Sequence, residues 1–432
     1  MKSAREQVVD IIGRFYTSTS DLKTIQNQYF TQNSNERNRV IVLSRDILRW
    51  KGKLDWFIQS NLNSRLDKLQ PQLLAILELA AYELLLDDRV PNYAAINSAV
   101  DLTKLKFNRK TSGLVNAVLR KISISKNIKP NKIKDFAWYS FPEWLFNRWE
   151  KQFGKSMTRQ LCDYYNSVIP LTIRRNTSKT DDATFIKMIE SENIKLIGID
   201  DSNHFYKVKS GGAQLRSSKQ FKDGLFSFQD RAAGAIVEVL DPQPNEVILD
   251  VCCAPGTKTN YIAERMKNTG KLFASDSNKE RINISKSDDS RLNNKNIIWK
   301  QKDATAANFP IADRVLVDVP CTGTGVIGRR PDIKWRRKPK HLQNVIELQT
   351  NILNNVSKYV KKGGILVYAT CSLEDDENWK IVEAFLKLHD KFKAVPIENP
   401  LLKQYVDAKG ALKTFPPKDK MDGMFAVKMV RK

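Results

Sequence analysis

Cys321 and Cys371 each follow an apolar run, in RVLVDVPC and GILVYATC, and both runs read as buried strands. A single cysteine at a strand end packs as a small apolar residue. Two of them, with Asp318 in the same DVPC stretch, describe a set of reacting groups instead. A thiolate can add to an electron-poor centre, a carboxylate can bind or protonate the same substrate, and a second thiol can help the adduct come apart. Basic surroundings favour the thiolate form.

The elements that must position these residues occupy the chain from about residue 230 onward. EVILDVCCA, KLFASDS, NIIWKQKD, RVLVDVP and GGILVYATCS read as strands. TKTNYIAERM, KERINISKSDDSRL and HLQNVIELQTNILNNVSKYV between them read as helices. Strand and helix in alternation, with near-continuous apolar strands, predict a doubly wound, mostly parallel sheet covered on both faces. Ligands of such sheets bind beyond the carboxyl ends of the strands, and each chemically suggestive residue falls at one of those ends.

The first of these ends, ILDVCCAPGTKT, lacks both the GxGxxG dinucleotide pattern and the GxxxxGK phosphate loop. Its single glycine, Gly256, lets a ligand approach the backbone. The next strand ends in Asp276, where an acid can accept from the two ribose hydroxyls, and the third ends in Asp303, suited to an adenine edge. A glycine turn and two acids at successive strand ends predict a nucleoside cofactor without phosphates, S-adenosylmethionine. With a methyl donor present, the two cysteines fit one substrate well. The C5 carbon of cytosine accepts a methyl group only after a nucleophile adds to C6, and its proton must then be removed before the nucleophile can leave. That work calls for a nucleophilic cysteine, an acid or base, and optionally a second cysteine; Cys371, Asp318 and Cys321 supply them.

The 432 residues carry 72 Lys and Arg against 48 Asp and Glu, a formal net charge of +24, which points to a polyanionic partner, nucleic acid. Five cysteines without metal-ligand or disulfide spacing, and three scattered histidines, predict neither a metal site nor a disulfide framework. No signal peptide or membrane span is legible, so the expected compartment is the cytoplasm. In the N-terminal part, Leu73, Ile76, Leu77, Ala80 and Leu84, and then Leu114, Val115, Val118, Leu119 and Ile122, recur at helical spacing and predict a helical bundle. The expected organisation is a helical domain over 1–125, a linker with helices over 126–167, a small α+β subdomain over 168–225, and the catalytic domain over 226–432. Phe228 and Gln229 open the last of these, read either as packing or as shaping the pocket.

LDVCCAPGTKT, DVPCTGTG, RRPDIKWRR, ATCSLEDDEN and DGMFAVKMV resemble, in order, the motifs of the RNA 5-methylcytosine methyltransferases. DILRWKGKLDWFI, LELAAYELLLDDRVPNYAAINSAVDL and GLVNAVLRKI resemble the NusB-like RNA-binding domain that precedes them in the bacterial 16S rRNA branch of Sun type. The resemblance implies a Rossmann-like methyltransferase domain preceded by an all-α NusB-like domain. It implies Cys371 as the nucleophile, Cys321 as an aid to product release, and Asp318 as a contact to base and cofactor. It also implies a cofactor loop over Cys252, Cys253, Ala254, Pro255, Gly256, Thr257 and Lys258. The family usually reads AAPGGKT here; Thr257 replaces its second glycine, so this position needs a φ that a β-branched residue can adopt.

GRRPDIKWRRKPK, residues 328–340, carries seven Lys and Arg around Trp335. It reads either as a solvated loop or as the mouth of the site. In the second case Arg329, Arg330, Lys334, Arg336 and Arg337 would grip phosphates and Trp335 would stack on an unpaired base. The expected substrate is 16S rRNA, with tRNA or a non-catalytic role in RNA binding and ribosome assembly as alternatives; no obligate protein partner is inferred. A DNA cytosine methyltransferase would lack the TCS cysteine.

Overall fold

The computed structural model describes residues 2–30, 36–125 and 130–432. The chain forms two compact units, Met1–Val168 with Ile327–Lys338, and Ile169–Val326 with Pro339–Lys432. The start of the basic linker expected from residue 126 lies outside the described residues.

In the first unit the helices Ala4–Thr17, Leu22–Tyr29, Arg37–Ser60, Pro71–Leu85, Asn92–Lys106 and Arg109–Ser125 pack around one core. Local sequence starts them: Ser3 and Glu6 form a capping box, the Asp21 side chain caps the second helix, and Pro71 opens the fourth. Leu73, Ile76, Leu77, Ala80 and Leu84 are all buried, as are Val115, Val118, Leu119 and Ile122. Leu114 is the exception at 39% exposure, one position off the buried stripe. A further helix, Glu143–Asn166, turns at Gly154, whose φ of 79° a residue with a Cβ rarely adopts.

The second unit opens with a four-stranded antiparallel sheet of β1 (Thr172–Arg175), β2 (Lys195–Ile199), β3 (Ser202–Ser210) and β4 (Phe226–Phe228), in the order β2-β3-β1-β4. The large sheet holds β5 (Val247–Val251), β6 (Lys271–Asp276), β7 (Ile297–Gln301), β8 (Ala312–Asp318), β9 (Val360–Thr370), β10 (Phe392–Ala394), β11 (Leu412–Lys413) and β12 (Phe425–Arg431). Its order is β10-β12-β9-β8-β5-β6-β7, with β11 on β12. β5 to β9 run parallel, and β12 returns antiparallel along β9. Ile248, Leu272, Leu316 and Val367 pack under the helices Arg231–Leu240 and Thr257–Arg265. The alternate residues Leu249, Val315, Val317 and Tyr368 pack under Pro339–Val356 and Trp379–Leu388. Burial on both faces is why these strands read as unbroken apolar runs. The chain builds β5-β6-β7 outward on one side and then crosses to β8 and β9 on the other. The strand order therefore reverses between β5 and β8, which places the ligand crevice at their carboxyl ends.

Candidate active site

β8 and β9 are parallel neighbours with Asp318 opposite Ala369, so the chain leaves both strands side by side. Cys321 Sγ and Cys371 Sγ come to 2.8 Å, and the Cys371 amide donates to Cys321 Sγ at 3.3 Å. Both cysteines are half-buried and neither is in a disulfide. Glycines hold this corner together. The Gly325 amide donates to the Cys371 carbonyl at 3.0 Å, and the Gly423 amide donates to the Gly325 carbonyl at 2.8 Å. A Cβ on Gly325 would sit 1.9 Å from the Gly423 oxygen, so the TGTG and DGM segments meet only because that side chain is missing.

Lys258, from the first turn of the helix after β5, reaches across the switch point to Asp318, with Nζ 2.7 Å from Oδ2. Burial works against its charge, but Asp318 and, after it, Cys371 and Asp250 attract it, and the ammonium is held above its ordinary pKa. Lys258 was expected in the cofactor loop; the fold pairs it with Asp318. The Cys321 thiol is pushed well above the ordinary range by its hydrogen bond with Cys371, by burial, and by the negative fields of Cys371, Glu377 and Asp318. Cys321 therefore ionises less readily than an ordinary cysteine.

The loop of Cys252 to Lys258 lies at the carboxyl end of β5, beside that of β6. The Cys253 amide donates to the Ser275 carbonyl at 2.9 Å, and the Ala254 amide to Asp276 Oδ2 at 3.3 Å. Gly256 has φ 91° and a Cβ there would meet Ser285 at 2.9 Å, so the loop keeps a cradle that any other residue would fill. Thr257 is the first residue of the helix and does not have positive φ, so a β-branched residue is tolerated there. Burial pushes the thiols of Cys252 and Cys253 up, which keeps them protonated. Asp250, fully buried in β5, accepts from Thr259 Oγ1 at 2.6 Å, and burial raises its carboxyl to about 7. Asp276 is buried, and its other oxygen accepts from the Asn278 amide at 3.0 Å. Asp303 is exposed, and its Oδ1 accepts from the Thr305 amide and hydroxyl at 2.9 and 2.8 Å, which holds the carboxyl below its usual range. The two acids expected to share the nucleoside thus differ: Asp276 is built into the cofactor loop, whereas Asp303 closes its own turn.

The basic segment needs a correction. Ile327–Lys338 packs with the helical unit. Lys334 is 1% exposed, with Nζ donating to the Arg49 carbonyl at 2.7 Å and lying over the Phe141 ring. Trp335 packs against the helical core and its Nε1 donates to the Leu48 carbonyl at 2.6 Å. Arg336 donates to the carbonyls of Phe15 and Ser20, both at 2.7 Å, and lies over the Phe15 ring. These three side chains close the end of a helical bundle, so the grip on phosphates and the stacking platform expected of them do not form. Arg330 pairs with Asp332 and Asp21, while Arg329 and Arg337 are half-buried. Phe228 resolves as packing, in an aromatic cluster with Phe221 and Phe226, and Gln229 accepts from Arg174 Nε at 2.7 Å.

Sequence reasoning missed Glu377. Within LEDDEN nothing separates it from three other acids, yet it is fully buried against the residues that follow both cysteines.

A family model described as 16S rRNA methyltransferase RsmB/F matches residues 237–430, a NusB family model matches 2–123, and an RsmF/B-like ferredoxin-like domain matches 141–204. A probable ribosomal RNA small subunit methyltransferase B of Synechocystis sp. is 32% identical over 390 residues, covering 88% of this chain and 87% of the relative. A protein of the same description from Bacillus subtilis is 31% identical over 398 residues, 89% of this chain and 88% of that one. Among solved structures, the crystal structure of PH0851 superposes with a TM-score of 0.83 at 26% identity, covering 99% of each chain. The order of domains, the paired cysteines at adjacent strand ends and these relatives agree: the chain belongs to the RsmB/F family of 16S rRNA methyltransferases.

Proposed function

We propose that this enzyme transfers a methyl group to C5 of a specific cytosine in 16S rRNA through a covalent adduct on Cys371. The observation that carries this reading is the pair of sulfurs 2.8 Å apart at the ends of adjacent strands, with the Lys258–Asp318 ion pair beside them. Cys371 Sγ adds as the thiolate to C6, and the ring electrons move to C5. Asp318 presents its carboxylate to the N3/N4 edge of the base. Once C5 is methylated, Cys321, having lost its own proton to solvent, accepts the C5 proton as a thiolate, the C6–Sγ bond breaks, and the 5,6 double bond returns.

S-adenosylmethionine supplies the methyl group when bound. The residues present fit it: the Gly256 cradle, the amides around Ala254, and buried Asp276 at the end of β6 form an adenosyl-sized edge without a phosphate loop. Lys258 belongs to the reacting centre more than to that edge. A cytosine reaching half-buried sulfurs must leave its stack, so the target lies in an unpaired or readily opened stretch of rRNA. The net charge of +24 supports an RNA substrate, gripped by basic residues outside the set that closes the helical bundle.

The test is transfer from labelled S-adenosylmethionine to 16S rRNA, with tRNA as control. Cys371→Ala is expected to lose transfer by at least ~10³-fold, and Cys321→Ala to accumulate a denaturant-stable protein–RNA adduct. Full activity of Cys371→Ala, or preference for tRNA, overturns the reading.

A further inference from the structure

Glu377 lies in the turn after β9, fully buried, and no step described so far uses it. A buried carboxylate is tolerated only when its oxygens are well supplied with donors. Here four donors converge. Oε2 accepts from the Thr322 amide at 2.8 Å and from Gln349 Nε2 at 2.9 Å. Oε1 accepts from the hydroxyls of Thr322 and Ser372. Thr322 follows Cys321, and Ser372 follows Cys371. The same Gln349 nitrogen donates to the Pro320 carbonyl at 2.9 Å, on the other side of Cys321. The turn itself is fixed from below, where the Tyr368 hydroxyl donates to the Glu377 carbonyl at 2.7 Å.

A carboxylate serving only to stabilise the turn would gather donors from the turn. This one binds the immediate neighbours of both sulfurs, Ser372 in its own turn and Thr322 in the loop after β8, 55 residues away in sequence. We propose that Glu377 is a positioning residue, a carboxylate clamp that holds the Cys321 and Cys371 loops at reacting distance. The proposal rests on the reading that Cys371 attacks and Cys321 completes release.

The clamp has a second consequence. Its charge is one of the fields that favour the thiol form of Cys321, after the hydrogen bond with Cys371 and burial. That field works against ionisation of Cys321. Removing the charge while keeping the shape should let Cys321 ionise at lower pH.

Glu377→Gln in the full chain is the direct test. Its kcat is expected to fall about 10²-fold, the cost of a misplaced reacting group, while KM for S-adenosylmethionine and RNA stays within about 3-fold. Its rate of product release should reach its alkaline plateau at lower pH than wild type, and that displacement should vanish in a Cys321→Ala background. Wild-type kcat with a wild-type pH profile overturns the proposal. Should Glu377→Gln fail to fold, Ser372→Ala removes one donor and leaves the carboxylate in place. Adduct formation by Ser372→Ala in the Cys321→Ala background is then expected to slow several-fold, and an unchanged rate overturns the clamp. Failure of the underlying reading looks different: Cys371→Ala would be active whatever residue 377 is.

Discussion

The sulfur pair and the basic segment 327–338 are both short stretches rich in reactive or charged side chains, and they teach opposite lessons about reading function from residue types. Cys321 and Cys371 sit where the backbone leaves a parallel sheet, and adjacency of β8 and β9 leaves them little choice but to meet. Lys334, Trp335 and Arg336 have long side chains on a stretch whose path no sheet dictates. Their donors found the carbonyls of Arg49, Leu48, Phe15 and Ser20 at the helical unit. Topology fixes what a strand-end side chain faces; a charge run is fixed only by what it packs against. Guanidinium and ammonium groups with aromatic and aliphatic stems can serve as packing as readily as phosphate ligands.

The largest effect that would sharpen this contrast belongs to the sheet. Lys258→Met leaves Asp318 half-buried without its partner and removes the cation beside Cys371. Methyl transfer is expected to fall about 10²-fold, because both the attacking thiolate and the carboxylate at the base lose support. Full rate in Lys258→Met would show that Lys258 serves the cofactor loop alone.

A smaller effect tests the other side. Trp335→Ala loses the hydrogen bond to Leu48 and part of the packing against the helical core, and should destabilise the protein by about 2 kcal/mol, read from the shift of its unfolding transition. Its affinity for rRNA should stay within about 3-fold. A base-stacking tryptophan would give the reverse: unchanged stability, with a loss of the size expected for removing one stacked base, about 1–3 kcal/mol of affinity. That outcome would erase the distinction between the two regions.

Much of the fold was legible because its signals are local. The strands of the parallel sheet announce themselves as apolar runs, and the bundle helices as buried stripes interrupted only at Leu114. In the small subdomain, β2 and β4 carry little such signal. β2 has mostly exposed and half-buried positions, so its pattern carries no buried face, and β4 spans three residues. Within the site, Cys321, Cys371 and Asp318 could be placed at adjacent strand ends, where the structure brings the two sulfurs together. The contacts of Lys258 and Glu377 could not be read, because each depends on a partner brought near by the strand order. Lys258 reaches Asp318 only because β8 returns beside β5, and Glu377 differs from Asp375 and Asp376 only in being buried against the two cysteine loops.

Asp276 and Asp303 carry the same contrast into the cofactor edge. They were read alike, as acids at the ends of successive strands, yet one is part of the loop and the other serves itself. Asp276 is buried and ties the Ala254 amide to the end of β6, so Asp276→Ala should weaken S-adenosylmethionine binding by roughly 10-fold or more, through a lost charge-assisted contact and a loosened loop. Asp303 is exposed, and its carboxylate oxygen already accepts twice from Thr305. Asp303→Ala should cost about 1 kcal/mol of stability from the lost turn, with affinity for the cofactor within about 3-fold of wild type by calorimetric titration. Equal losses of affinity in the two variants would mean that Asp303 abandons its turn when the cofactor binds. Position at a strand end would then outweigh the partners seen around it, as it does for the cysteines.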